Sequence, residues 1–197
     1  MKAIKYLVAG ALMIGLSMPA MAQDVNYKDL LKSIEANIKS GNVTSKDFDK
    51  SLKEYQKEFK KDPKALVALG NILAINKQYD KAMAVADAVT MKFKNFGDAY
   101  ILKGDIYALQ DNGGDAAACY NDCIVMDPKN PQGYISYANV YQKIDPVRSA
   151  ETLKKLKEVN PEYPYEAKAG YTFYSNGKYD KAYELFKQTD PNKLEEY

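Results

Sequence analysis

The stretch YILKGDIY (residues 100–107), followed by AAACY (residues 116–120), contains two small residues whose positions recur along the chain. The recurrence has steps of 34 residues and then one of 32. The first column contains Gly70, Gly104, Ala138 and Gly170, and the second contains Ala82, Ala116, Ala150 and Ala182. Repetition at this period in a helical sequence is typical of stacked helix pairs, so we predict an all-α fold.

These columns resemble the tetratricopeptide repeat (TPR), whose pattern is W-x2-L-G-x2-Y, then A-x3-F, then P. The second unit matches best and reads Tyr100-x2-Lys103-Gly104-x2-Tyr107, Ala116-x3-Tyr120, Pro128. In such a unit, small residues let the first helix (helix A) approach the second (helix B), and the proline ends helix B because it has no N–H. The resemblance covers roughly residues 27–191. It implies a right-handed α-solenoid of antiparallel helix pairs.

The resemblance also divides the chain into segments. We expect a signal peptide at 1–22, a degenerate helical hairpin at 23–62, four TPR-like repeats at about 63–96, 97–130, 131–162 and 163–191, and the start of a further helix or a tail at 192–197. In the degenerate hairpin, Thr44 to Asp47 resembles a capping box that opens a helix. Asp115 and Asp145 are the predicted caps of helix B in the second and third repeats.

The first 22 residues have the pattern of an export signal. Lys2 and Lys5 precede a largely apolar, uncharged run from Tyr6 to Met18, and small residues follow, so we expect cleavage before Gln23. The run is short for a membrane span, which leaves an uncleaved anchor as the alternative. We therefore expect a periplasmic mature chain with no membrane span.

Charge and composition argue against several classes of function. The chain has 28 basic and 26 acidic residues, and loss of the two signal-peptide lysines makes these totals equal. Arg148 is the only arginine, whereas nucleic-acid binders normally show a basic excess and an arginine-rich patch. The chain has no histidine, nucleophile elbow, phosphate loop or zinc signature. We expect no nucleic-acid partner, no catalysis and no cofactor.

The two cysteines, Cys119 and Cys123, are spaced i, i+4 on one face of a predicted helix. A metal site would need further soft ligands, and we expect no metal. Two buried thiols are the favoured interpretation, because free cysteine is among the most buried residue types. A disulfide stays open, since the export signal predicts an oxidising compartment.

In the family that the chain resembles, helix A residues one and four positions after the small-residue column face a concave groove. The tentative peptide-binding residues on these positions are Asn71, Asp105, Asn139, Gln142, Tyr171 and Tyr174. An asparagine can bond both the N–H and the C=O of an extended peptide, although it is also the family's ordinary residue there. The two tyrosines either contact a ligand or pack. The lysine clamp by which some members hold a C-terminal carboxylate is not reproduced, because Val67 and Ile135 are apolar.

Three functions are compatible with this pattern. The first is a periplasmic scaffold that binds a protein or peptide in a cell-envelope assembly through the concave helix A surface. The second is a structural envelope subunit that associates with copies of itself, since near-zero net charge favours association. The third is a binder of envelope glycan or another small ligand at Tyr171 and Tyr174.

Overall fold

The computed structural model describes residues 27–189, in which all the regular elements are α-helices. The helices are α1 (Tyr27–Lys39), α2 (Lys46–Glu58), α3 (Pro63–Ile75), α4 (Tyr79–Lys92), α5 (Gly97–Leu109), α6 (Gly113–Met126), α7 (Pro131–Tyr141), α8 (Pro146–Val159), α9 (Tyr165–Tyr174) and α10 (Tyr179–Phe186). The predicted signal peptide, 1–22, and the segment 192–197 lie outside the described residues.

The helices pack in successive pairs, from α1 with α2 to α9 with α10, which confirms the predicted all-α fold of helix hairpins. The chain divides into two compact units, residues 1–94 and 95–197. Helices α1 to α4 belong to the first unit, and α5 to α10 belong to the second. The division falls in the connection before α5, next to the predicted boundary between the first and second repeats.

The first unit is built around buried apolar side chains from all four of its helices. These include Ile34, Phe48, Leu52, Tyr55, Leu69, Leu73 and Val89. Two polar contacts between elements accompany them. The Tyr55 hydroxyl donates to the carbonyl of Ala65 at 3.0 Å, and Lys81 Nζ lies 2.6 Å from Asp49 Oδ1, which links α4 to α2.

In the second unit each helix packs against the next one along the chain, from α5 through to α10. The small-residue column explains how the hairpins close. Gly104 lies directly against the ring of Tyr120, and a Cβ added at Gly170 would lie 2.5 Å from Cε1 of Phe186. Glycine at these positions therefore lets helix A approach the aromatic ring that helix B presents.

The predicted helix caps are partly right. Asp145 accepts from the backbone N–H of Arg148 at 3.0 Å, as predicted. The cap of α2 lies one residue later than predicted, because Ser45 rather than Thr44 accepts from the N–H of Phe48. The cap of α6 is Asn112 rather than Asp115, because Gly113 and Gly114 form the first helical turn instead of a loose one.

None of the described helices is both long enough and apolar enough to cross a membrane.

Candidate binding surface

Helices α7 and α9 are each the first helix (helix A) of a repeat in the second unit. Hydrogen bonds link their C-terminal ends. The Asn176 side chain donates to the carbonyl of Gln142 at 2.7 Å. Lys143 Nζ donates to the carbonyl of Ser175 at 3.2 Å. Because these four residues directly follow the two helices, the last turns of α7 and α9 lie side by side. The predicted binding residues on those turns are thereby brought together.

Tyr171 and Tyr174, on α9, are 42% and 57% exposed. The Tyr171 ring meets the ring of Phe186 edge-on at 5.2 Å between centroids. The Tyr174 ring meets that of Tyr179 in the same way at 5.6 Å. Each tyrosine is therefore supported from one side by α10 and open to solvent on the other. A supported ring of this kind offers a rigid apolar face together with a hydroxyl.

The amides on α7 differ in accessibility. Asn139 is exposed, and its side chain makes no hydrogen bond within residues 27–189. Gln142, which follows the last residue of α7, is half-buried and uses its backbone carbonyl to hold Asn176. The Asn139 side chain can therefore donate to and accept from a ligand. Gln142, by contrast, also links the ends of α7 and α9 through its backbone carbonyl.

Asp105, on α5, is half-buried and is hydrogen-bonded to a residue of α6. The Tyr120 hydroxyl donates to Asp105 Oδ1 at 2.7 Å. Burial raises the pKa of Asp105 to about 6, although the bond from Tyr120 acts to lower it. Burial and the neighbouring carboxylate also raise the pKa of the Tyr120 hydroxyl, which therefore stays protonated and donates. At neutral pH the Asp105 carboxylate is mostly ionised, although its burial disfavours the charged form.

Solved structures share this fold of successive helix pairs. A structure titled "MamA 41-end from Desulfovibrio magneticus RS-1" is 21% identical, with 88% of this chain and 98% of that chain covered and a TM-score of 0.56. A tetratricopeptide repeat protein from Parabacteroides merdae ATCC 43184 is 16% identical, with 82% and 64% covered and a TM-score of 0.57. A thermophilic TPR protein in Thermus thermophilus is 14% identical, with 83% and 89% covered and a TM-score of 0.53.

The chain has the tetratricopeptide-repeat fold. At these identities the likeness concerns the fold alone. The comparison with protein-family models gives no match, and the comparison with curated proteins gives none either. The binding surface of this chain is therefore defined by its own residues.

The remaining predicted residue, Asn71, belongs to the first unit. It lies on α3, is half-buried, and its side chain makes no hydrogen bond to another described residue. Ala74, which lies four positions after the small residue Gly70 on the same helix, is buried. In the first unit, the TPR fold thus leaves one partly accessible amide on this face of α3.

Both cysteines are buried on α6 as free thiols. Burial raises the pKa of Cys123 to about 12, and the nearby Asp127 carboxylate acts in the same direction. A protonated thiol is a poor nucleophile and a poor metal ligand. A Cβ added at Gly133 would lie 2.9 Å from the Cys123 sulfur, so this thiol fills the space between α6 and α7. Within residues 27–189, no group of three or more His, Cys, Asp or Glu could hold a metal ion.

The bond between Tyr120 and Asp105 was not anticipated from the sequence, although a signal exists. Tyr120 lies four positions after the small residue of helix B, Ala116. Asp105 lies directly after the small residue of helix A, Gly104. The corresponding pairs in the other repeats are Ala86 with Asn71, Lys154 with Asn139, and Phe186 with Tyr171. The second repeat alone places a hydroxyl in one column and a carboxylate in the other.

Proposed function

We propose that this chain is a periplasmic scaffold that binds a polypeptide segment through its helix A surface, as part of a cell-envelope assembly. The helix A surface is defined here by Asp105, Asn139, Gln142, Tyr171 and Tyr174 of the second unit. The observation that supports the proposal most directly is the pair of exposed, supported tyrosines beside an exposed amide at the joined ends of α7 and α9.

The chemistry of these side chains fits a polypeptide ligand. The free amide of Asn139 can bond the N–H and C=O of an extended backbone. Tyr171 and Tyr174 lose little conformational entropy on binding, and tyrosine is enriched among residues that dominate interface energies. Repeat arrays commonly use the extended surface formed by successive repeats in this way.

The periplasmic part of the proposal rests on residues 1–22, whose basic start, apolar run and small-residue end are typical of export. Mass spectrometry of the protein recovered from the bacterial envelope tests it. A mature N-terminus at Gln23 in the periplasmic fraction supports export. An intact N-terminus at Met1 in the cytoplasmic fraction contradicts it.

In-cell photocrosslinking tests the binding surface. A photoreactive residue is placed at Tyr174, and a matched variant carries it at Lys154, which is exposed on α8, a helix B of the same unit. We expect Tyr174 to capture one dominant protein that Lys154 does not capture, and we expect Asn139→Ala to reduce the yield. Equal capture at both positions would remove the basis for assigning the helix A surface.

A second candidate function, a structural subunit that associates with copies of itself, is favoured by the last described helix. On α10, Tyr179 and Tyr183 are each 63% exposed. Light scattering over a wide concentration range separates the candidates, because association through α10 predicts a mass that rises with concentration and falls after Tyr183→Ser. A constant monomer mass contradicts the structural role.

A further inference from the structure

Among the five residues that define the helix A surface, Asp105 alone has an acidic or basic side chain, and the nearby Lys143 donates to the carbonyl of Ser175. The other members of this surface are Asn139, Gln142, Tyr171 and Tyr174, all of which are uncharged at neutral pH. Asp105 forms no ion pair with a described residue, and its one side-chain bond comes from Tyr120. The Asp105 carboxylate therefore has no ion-pair partner among the described residues.

The surroundings of Asp105 in the second unit explain why its charge is poorly stabilised. Helix α5 packs against α6 and α7. From α6, the titratable group beside Asp105 is Tyr120. From α7, Tyr137 and Val140 pack against the apolar cluster that includes Tyr120. Burial and the Tyr120 hydroxyl are the two influences on the pKa of Asp105, and no lysine or arginine is among them.

An acid is not needed here for the fold. Asn71 and Asn139 occupy the equivalent position in the first and third repeats. An asparagine at 105 would also accept the Tyr120 hydrogen bond, without the cost of burying a charge. The charge therefore fits a role that an amide cannot fill, namely attraction of a cation.

We propose that Asp105 recognises a basic side chain, lysine or arginine, of the polypeptide that the helix A surface binds. This inference rests on the proposed function and adds the chemistry of the partner. A divalent metal ion is a poor alternative because it requires several oxygen ligands, and one carboxylate with one phenol does not supply them. A lysine or arginine needs one reachable carboxylate oxygen, and Asp105 offers Oδ2: Tyr120 bonds only Oδ1, and no fully buried side-chain oxygen among the described residues lacks a partner.

Binding of a cation and ionisation of Asp105 must favour each other. The pKa of free Asp105 is about 6, against 3.8 for an ordinary aspartate. A bound cation lowers it towards the ordinary value. Where the bound pKa is about 4, a basic ligand binds about tenfold more weakly at about pH 5 than at about pH 7.5.

The probes are N-acetyl-lysine methylamide and N-acetyl-arginine methylamide, and N-acetyl-glutamine methylamide at equal ionic strength is the neutral control. Carboxyl carbon NMR of the full mature chain follows the titration of Asp105. We expect its midpoint to fall with the two basic probes and to stay constant with the neutral one. Equal midpoints with all three probes would overturn the proposal.

Two variants keep the test independent of folding defects. Asp105→Asn should abolish the probe-induced shifts of α5 backbone resonances, whereas Tyr120→Phe should retain them because the charge remains. Retention of the shifts in Asp105→Asn overturns the proposal. Crosslinking separates this failure from failure of the proposed function. If the Asp105→Asn variant captures the same partner through position 174 with undiminished yield, binding at the helix A surface is supported and recognition of a basic residue by Asp105 is refuted.

Discussion

Replacement of Asp105 by asparagine should change how the stability of the second unit depends on pH. The pKa of Asp105 is about 6 in the folded chain, against an ordinary value of 3.8. The folded state therefore holds the proton more tightly than the unfolded state does. The stability that this carboxyl contributes is fully present below about pH 3.8 and is lost as pH rises through about 6.

The size of this effect follows from the same two pKa values. A difference of about two units, at about 1.36 kcal/mol each, corresponds to roughly 3 kcal/mol over the whole window. Between about pH 4.5 and about pH 7.5, the linkage relation gives a loss of roughly 2 kcal/mol. Asp105→Asn cannot ionise, yet it retains an oxygen for the Tyr120 hydroxyl. We expect the variant to lack this loss and to gain stability over the natural chain near neutral pH.

Hydrogen exchange detected by mass spectrometry suits the measurement, because the chain forms two compact units and a global unfolding curve would mix them. Peptides from α5 and α6 are compared between variant and natural chain at each pH, so that the intrinsic pH dependence of exchange cancels. Asp122→Asn, which alters an exposed carboxylate on α6, is the matched control and should show no comparable change. An Asp105→Asn effect that is the same at both pH values would refute the raised pKa of Asp105.

Three further predictions concern stability, each measured by hydrogen exchange of peptides from the unit that contains the substitution. Gly170→Ala should lose about 1–3 kcal/mol, because the added methyl would lie 2.5 Å from Cε1 of Phe186. Asp145→Ala should lose about 1 kcal/mol, because the N-terminal cap of α8 is removed. Tyr55→Phe should lose about 1 kcal/mol, because the buried hydroxyl no longer donates to the carbonyl of Ala65.

Each of these substitutions has its own control. Gly114→Ala adds a methyl that meets one atom, Asn112 Oδ1 at 3.9 Å, and should be neutral or stabilising. A loss there as large as at Gly170 would contradict the steric argument. Asp145→Asn keeps a capping oxygen and should retain most of the stability. Tyr79→Phe changes a tyrosine of the same unit that is half-buried, and a loss equal to that of Tyr55→Phe would leave the hydrogen bond without a measurable role.

The architecture could be predicted because it depends on columns that every repeat must satisfy. Gly104 and Gly170 are required where an aromatic ring closes on helix A. Asp145 before Pro146 predicted the start of α8, since an acid followed by proline suits the cap and the first helical position. Such local rules apply wherever a helix pair closes, so one sequence contains them several times.

The start of α6 and the environment of Asp105 could not be predicted in the same way. Two adjacent glycines are typical of a loose turn, but Asn112 caps a helix that begins at Gly113, because its side chain satisfies the N–H of Asp115. The burial that raises the pKa of Asp105 depends on how α6 and α7 close around α5, which residue spacing does not specify. These features required the packed structure.

The column that follows the small residue shows where this chain departs from its own repeat. The small residue is constrained by the helix that faces it, so Gly70, Gly104, Ala138 and Gly170 stay small. The next residue also contacts helix B in the second and fourth repeats, yet it varies from asparagine to aspartate to tyrosine. A position that accepts several side chains can differ between repeats without harming the array, whereas a half-buried charge costs stability. The one charged member of this column is therefore where the partner's chemistry should be sought first.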